Sequence, residues 1–234
     1  MALSGGAFPG LAALVFLAIG ILAGPAWAGL ERDAAATHPA LAEAGWEVLR
    51  RPGKPLAGFA PGPDGAVAVS ADSAVGFLVR KADKPTRFLA WRWRVDQAPP
   101  ATDLRRKGTD DRPLAVTVFF PRDPGMFGFV RRAMAGDLPD GRVLSYVWGG
   151  LDPAGARFPS PYMGDAGGLV VLQGPGAPTG QWVGACVDLG ADYRTAFDGE
   201  DPPASYLALS SDSEDSGGTV RAAITPPAFV DRCP

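Results

Sequence analysis

The residues best placed to do chemistry in this chain fall in one stretch, VDQAPPATDLRRKGTDDRPL, where Asp96, Asp103, Lys107, Asp110 and Asp111 crowd between two strongly apolar runs. Two carboxylates at a suitable separation act as acid and base on a glycosidic bond. Asp110 or Asp111 with a second acid such as Asp103 or Asp192 would therefore make a carboxylate-dependent hydrolase. A structural reading competes with it. Arg92 and Arg94 stand two residues apart on the preceding run, and a half-buried arginine face needs anionic partners, which Asp110 or Asp111 can supply. A third reading is a ligand site in which the same groups hydrogen-bond a polar molecule.

Other chemistry is thinly provided. His38 is the sole histidine and is followed by Pro39, which disfavours a helical conformation at His38. It reads as a loop residue, and its isolation leaves little for a Ser-His-Asp or Cys-His site or an ordinary zinc site. The acidic run SSDSEDSGG, Ser210 to Gly218, has Ala223 where an EF-hand counted from Asp212 needs glutamate, so a solvated hairpin turn is expected, with a calcium site of another kind over Asp212 to Asp215 as the alternative. No residue set calls for a cofactor. Trp148, Tyr162 and Trp182 stand near turns or on a strand face, where aromatic rings either stack on a ligand or complete a core.

The ends and composition set the context. An apolar run from Leu11 to Ala23 precedes the small residues around Ala26 and Ala28, which is the pattern of a signal peptide cut after Ala28. The run is short for a membrane span, which needs about twenty residues, so export to the periplasm or medium is expected in preference to a retained anchor. With 22 basic and 25 acidic side chains, a formal net charge of -3, the chain lacks the cationic excess that nucleic acid demands. Only Cys186 and Cys233 are present. In an oxidising compartment they are expected to pair, closing a loop of roughly fifty residues worth about 4 kcal/mol, the alternative being two free thiols.

The elements that must position these groups are strands. Short runs of β-branched and aromatic residues alternate with Gly and Pro, predicting strands at Trp46–Arg50, Ala66–Ser70, Ala74–Lys81, Arg87–Asp96, Leu114–Phe120, Val143–Trp148, Gly168–Gln173, Gln181–Asp188, Ser205–Ser211 and Thr219–Ile224. Without crossover helices between them, antiparallel sheets follow, packed as a sandwich or closed as a barrel, with the sandwich preferred. In Phe88 to Asp96, Leu89, Trp91, Trp93 and Val95 share the core face, while Arg92 and Arg94 point the other way. If this strand pairs with the next, the arginines lie beside Phe119. Short helices are expected between Pro124 and Pro139 and from a cap at Asp192 to Gly199, with Tyr193 and Phe197 on one side. Residues 29–44 read as an N-terminal arm, and 45–234 as one β-sandwich domain.

In order along the chain, AWRWRVDQAPPATDLRRKGTDDRPLAVTVFF, FGFVRRAMAGDLPDGRVLSYVWGG, SPY, GQW, ADYRTAF and LALSSDSEDSGG resemble an exported bacterial family, domain of unknown function 3047. The likeness spans approximately Ala44 to Ile224 and carries over Arg92, Arg94, Lys107, Asp110, Asp111, Tyr146, Trp148, Tyr162, Trp182, Asp192 and Tyr193 as family-like positions. It implies no particular activity. The family's Asp-x-Asp-Asn-Thr-Gly run is altered here around Asp212 to Gly217, and Cys186 stands where a charged residue is usual, which implies that a Cys186–Cys233 bridge is peculiar to this branch.

The expectation is an all-β, jelly-roll-like antiparallel β-sandwich with one or two short helices. Its concave face, built on Arg92, Arg94 and Phe119 and served by Lys107, Asp110, Asp111, Trp148, Tyr162, Trp182 and Asp192, would bind an envelope glycan or another polar small molecule. The hydrolase and a structural or partner-binding envelope protein are the alternatives. Neither nucleic acid nor stable membrane insertion after leader cleavage is expected.

Overall fold

The computed structural model describes residues 30–121 and 141–234. In chain order its elements are β1 (Glu31–Arg32), α1 (Pro39–Glu43), β2 (Glu47–Arg50), β3 (Gly58–Pro61), β4 (Val67–Asp72), β5 (Val75–Lys81), β6 (Phe88–Gln97) and β7 (Arg112–Pro121). They continue with β8 (Gly141–Trp148), β9 (Arg157–Ser160), β10 (Gly164–Gln173), β11 (Val183–Asp188), α2 (Leu189–Phe197), β12 (Tyr206–Asp212), β13 (Thr219–Ile224) and β14 (Ala228–Val230). Each strand expected from the sequence is present, some with shifted ends; β10, for example, begins at Gly164.

The strands form a jelly-roll-like β-sandwich. One sheet has eight strands in the order β1-β2-β5-β12-β7-β8-β10-β9; the other runs β11-β6-β13-β4-β3, with β14 also pairing β6. The strand pairs are antiparallel except β8 with β10, which run parallel with Gly167 opposite Val143. The reason is β9: it carries the chain back along the outer side of β10, antiparallel to it, so that β10 starts again from the end where β8 started. The strands that sequence patterning missed are two to four residues long. Pro61 and Pro159, which have no N–H to give a ladder, sit in two of them, and both of those are edge strands.

Alternation builds the core. Leu89, Trp91, Trp93 and Val95 of β6 are all buried, and they face Leu114, Val116 and Val118 of β7, Tyr146 and Trp148 of β8, and Leu207 and Leu209 of β12 in one cluster. Trp93 meets Trp91 and Trp148 edge to face at ring separations of 5.4 and 5.5 Å, the geometry that an aromatic quadrupole favours. Neither the Trp91 nor the Trp93 indole N–H meets an acceptor among the described residues, so these rings contribute through area and shape.

Two α-helices pack against the sandwich among the described residues. Helix α2 is capped by Asp188, whose carboxylate accepts the Ala191 N–H at 3.1 Å. The cap is thus four residues earlier than Asp192, which instead sits in the first turn, where an acid suits the helix dipole. Tyr193 and Phe197 do share one side, their rings 5.0 Å apart. Asp198 and Gly199 end the helix with φ of 60° and 97°, a left-handed exit that glycine takes without strain. His38 caps α1, its Nδ1 accepting from Ala40 N at 3.2 Å, with Pro39 at the first helical position. The helix expected between Pro124 and Pro139 lies outside the described residues, as does the leader. Cys186 and Cys233 form a disulfide. Among the described residues no helix is long and apolar enough to cross a membrane.

Candidate functional site

The arginine strand does not pair with the strand that follows it. β6 lies in the six-stranded sheet and β7 in the eight-stranded one, because the connection 98–111 crosses from layer to layer. Arg92 and Arg94 therefore stand on one outer face of the sandwich and Phe119 on the opposite one, and a platform joining the three does not exist. Nor do Asp110 and Asp111 seal these arginines. Arg94 pairs with Asp96 at 3.0 Å on its own strand, and the Arg92 and Arg94 guanidinium carbons each lie 5.6 Å from the Trp182 ring.

The loop that carries the acidic residues instead folds onto the outer face of the eight-stranded sheet. Leu104, fully buried, anchors it in a second apolar cluster with Ala115, Val147, Phe158, Leu169 and Val171. Gly150 lets Leu104 approach: a Cβ there would stand 2.7 Å from the leucine side chain. Arg105 stacks 4.4 Å from the Phe158 ring and pairs with Asp152 at 2.7 Å. Thr109 Oγ1 donates to Asp103 O at 2.9 Å, closing the turn before the acids.

So placed, Asp110 enters a recess of about 50 Å³ that is also lined by Arg51, Arg112, Ser145, Ser160, Tyr162 and Asp212. Arg112 Nη1 donates to the Asp110 carboxylate at 3.0 Å and to its carbonyl at 2.7 Å, whereas Arg112 Nε, buried, has no acceptor among the described residues. Burial first, then the nearby Asp110 and Asp111 charges, push Asp212 up to about 7 against the opposing pull of Arg112. The Tyr162 hydroxyl accepts from Gly108 N at 3.0 Å and is pushed up to about 12, mainly by burial, while Lys107 Nζ sits 5.7 Å from the tyrosine ring.

Asp111 lies behind this wall and is 1% exposed. It accepts the Ser216 N–H at 2.6 Å and the Asp215 N–H at 3.3 Å, and the Ser216 hydroxyl also donates to it. Glu214 is held by Arg51 at 3.2 Å and by Lys54, whose pKa that contact raises. The acidic run is consequently neither a hairpin turn nor solvated throughout: it links β12 in one sheet to β13 in the other, with Asp212 and Ser213 buried.

Of the residues singled out from the sequence, Lys107, Asp110, Asp111 and Tyr162 come together at this recess. Arg92, Arg94 and Trp182 gather on the far sheet. Trp148 is a core residue, 5% exposed. Asp192 is buried in α2, accepting from Tyr146 Oη at 2.9 Å and pairing with Arg157 at 2.7 Å, and it does not line the recess with Asp110. Arg112, Ser145 and Ser160 were missed, and Asp212, weighed from the sequence only as part of a turn or calcium loop, was not connected with Asp110. The available signal for Asp212 was a run of polar residues, Ser210 to Ser213, continuing the apolar strand Leu207–Leu209, since polar groups buried there need partners.

No curated protein matches the chain. Among solved structures it is similar to endoglucanase Cel12A from Rhodothermus marinus, with 12% identity, 81% of this chain and 94% of that one covered, and a TM-score of 0.43. The family 12 xyloglucanase from Bacillus licheniformis gives 10% identity, coverage of 79% and 85%, and a TM-score of 0.40. The K2 cleaved adhesin domain of Lys-gingipain gives 15% identity, coverage of 86% and 98%, and a TM-score of 0.38. Matched over residues 45–226, the chain belongs to the family described as "Protein of unknown function (DUF3047)".

Proposed function

We propose that this is an exported, non-catalytic binding protein that takes the polar end of a ligand, a glycan of the cell envelope, into the recess bounded by Asp110, Arg112, Ser145, Ser160, Tyr162 and Asp212. The observation that carries the reading is the lining of the recess, where the charged groups of Arg112, Asp110 and Asp212 and the hydroxyl-bearing Ser145, Ser160 and Tyr162 converge beside the apolar Phe77, Val143 and Leu169. Donors and acceptors side by side suit sugar hydroxyls, which both give and accept protons. At about 50 Å³ the recess takes a group the size of a hydroxymethyl rather than a whole ring, so the remainder of the ligand lies outside, near Tyr162 and Lys107.

Calorimetry of the leaderless protein against neutral and acidic envelope oligosaccharides tests this. Heat for at least one glycan, abolished when Ser160→Leu fills the recess in a protein of unchanged circular dichroism, supports it. No heat for any member from a folded sample overturns it.

A second reading rests on Asp212. A carboxyl at about 7 lining the same recess as an arginine-held carboxylate is the division of labour of a general acid and base. Release of reducing sugar by the wild type, lost in Asp212→Asn while binding persists, would make the protein a glycoside hydrolase; binding without release leaves the first reading standing.

A further inference from the structure

The outer face of the six-stranded sheet lies on the other side of the molecule from the recess and is unusually bare. Along one row across the strands, Arg94 is in register with Ala223, Ala223 with Ala68, and Ala68 with Ala60. The neighbouring rows place Gly184 beside Arg92, and Arg221 beside Ser70 and then Gly58. Four strand spacings of about 4.8 Å make this a track about 19 Å long with a floor of alanine, glycine and serine. Gly184 opens directly onto space, with no atom within 4 Å of where its Cβ would be.

One end of the track is built up. Trp182 stands next to β11 with the guanidinium groups of Arg92 and Arg94 each 5.6 Å from its ring. The indole holds both cations in place by their attraction to its π-face. Asp96 engages Arg94, but Arg92 is exposed and has no ion-pair partner among the described residues. Arg221 adds an exposed cation, while Asp72, at the far end of β4, and Asp188, at the end of β11 and paired with Arg87, are the further acids that the strand registers place on this face. In a chain of net charge -3 the track is thus locally cationic.

We propose that this face is a second binding surface, for an extended glycan bearing carboxylates, such as a polyuronate. Arg92 and Arg94, aligned by Trp182, pair with the acid groups, and the small-residue floor lets flat sugar rings lie against the sheet. A protein partner would also use Trp and Arg, but beyond Trp182 the floor carries only small side chains, which cannot fill pockets on a partner surface; among the described residues, the exposed large hydrophobic Leu151 lies elsewhere in the chain. The same lack of bulk argues against a lipid surface. Guanidinium groups, planar and forked, match carboxylate oxygens two at a time.

Affinity electrophoresis in gels containing polygalacturonate, compared with gels containing a neutral galactan, tests the proposal. The folded wild type is retarded by the polyuronate alone and released as salt rises. Arg92→Gln/Arg94→Gln and Trp182→Ala each weaken retention by about tenfold, equivalent to about 1.4 kcal/mol. Arg32→Gln, which removes a like charge from the edge of the other sheet, leaves retention unchanged. Absence of retardation, equal retardation of the Arg92→Gln/Arg94→Gln protein, or tighter binding of a single-stranded oligonucleotide than of polyuronate overturns it. The recess reading survives any of these outcomes, because its residues occupy the opposite face.

Discussion

The Asp111 carboxylate accepts the Ser216 backbone N–H at 2.6 Å across 105 residues of chain, tying the loop that enters β7 to the connection that leaves β12. Because those two segments lead into different sheets, this contact fixes one sheet against the other beside the recess. Asp111→Asn keeps the shape but sets an amide against two backbone donors. A loss of about 2 to 3 kcal/mol is expected, the worth of hydrogen bonds to a buried charge, read as a lower urea midpoint at unchanged slope.

Asp212 makes stability depend on pH in the direction opposite to most carboxylates. Its folded-state value, about 7, lies above the ordinary value of about 3.9, so the folded protein keeps a proton that the unfolded chain has released. Its contribution is fully present below about pH 4 and is lost as pH rises through about 7. Asp215, raised in the same direction mainly by burial, adds to the trend. Urea midpoints measured from pH 4 to 8 should fall less steeply in Asp212→Asn than in the wild type. A variant with an unchanged slope would remove Asp212 from the account.

The disulfide closes a loop with a sequence separation of 47. Replacing both cysteines by alanine, or reducing the bond, should cost about 4 kcal/mol on the chain-entropy estimate, seen as a fall in the thermal midpoint. The bond lies away from the recess, so glycan heat measured well below the new midpoint should persist.

The two faces of β6 predict opposite sensitivities. Trp93 is fully buried among Trp91 and Trp148, and Trp93→Ala should cost about 3 to 5 kcal/mol. Arg92, one residue earlier and exposed, should tolerate Arg92→Gln within about 0.5 kcal/mol. Denaturation of the two variants side by side checks both.

The inward face of β6 was legible because strand alternation is a local rule: once Trp91 and Trp93 are in, Arg92 and Arg94 must be out. The neighbour of β6 was not. Consecutive strands are adjacent roughly two times in three, and nothing local in residues 98–111 marks them as a crossing between layers. The recess was half legible for the same reason. Asp110 and Asp111 announce themselves in one short segment, whereas Asp212, about a hundred residues later, joins them only through the β12–β7 ladder, where Asp212 is in register with Arg112. The Asp188 cap was readable in principle, since it precedes an apolar turn at Leu189, but Asp192 offered the same signal four residues on.

The order of strands in the six-stranded sheet has a consequence for how the protein is made. β3 and β4 on one side, β6 and β11 on the other, are joined only by β13, which leaves the ribosome after all four of them. Until then neither half has its central neighbour, and the indoles of β6 lack the wall formed by Val220 and Ile224. A nascent chain can form hairpins but cannot seal its interior, so packing waits for Thr219–Ile224 to emerge, and termination just after Gly218 yields two unjoined half-sheets rather than a smaller sandwich.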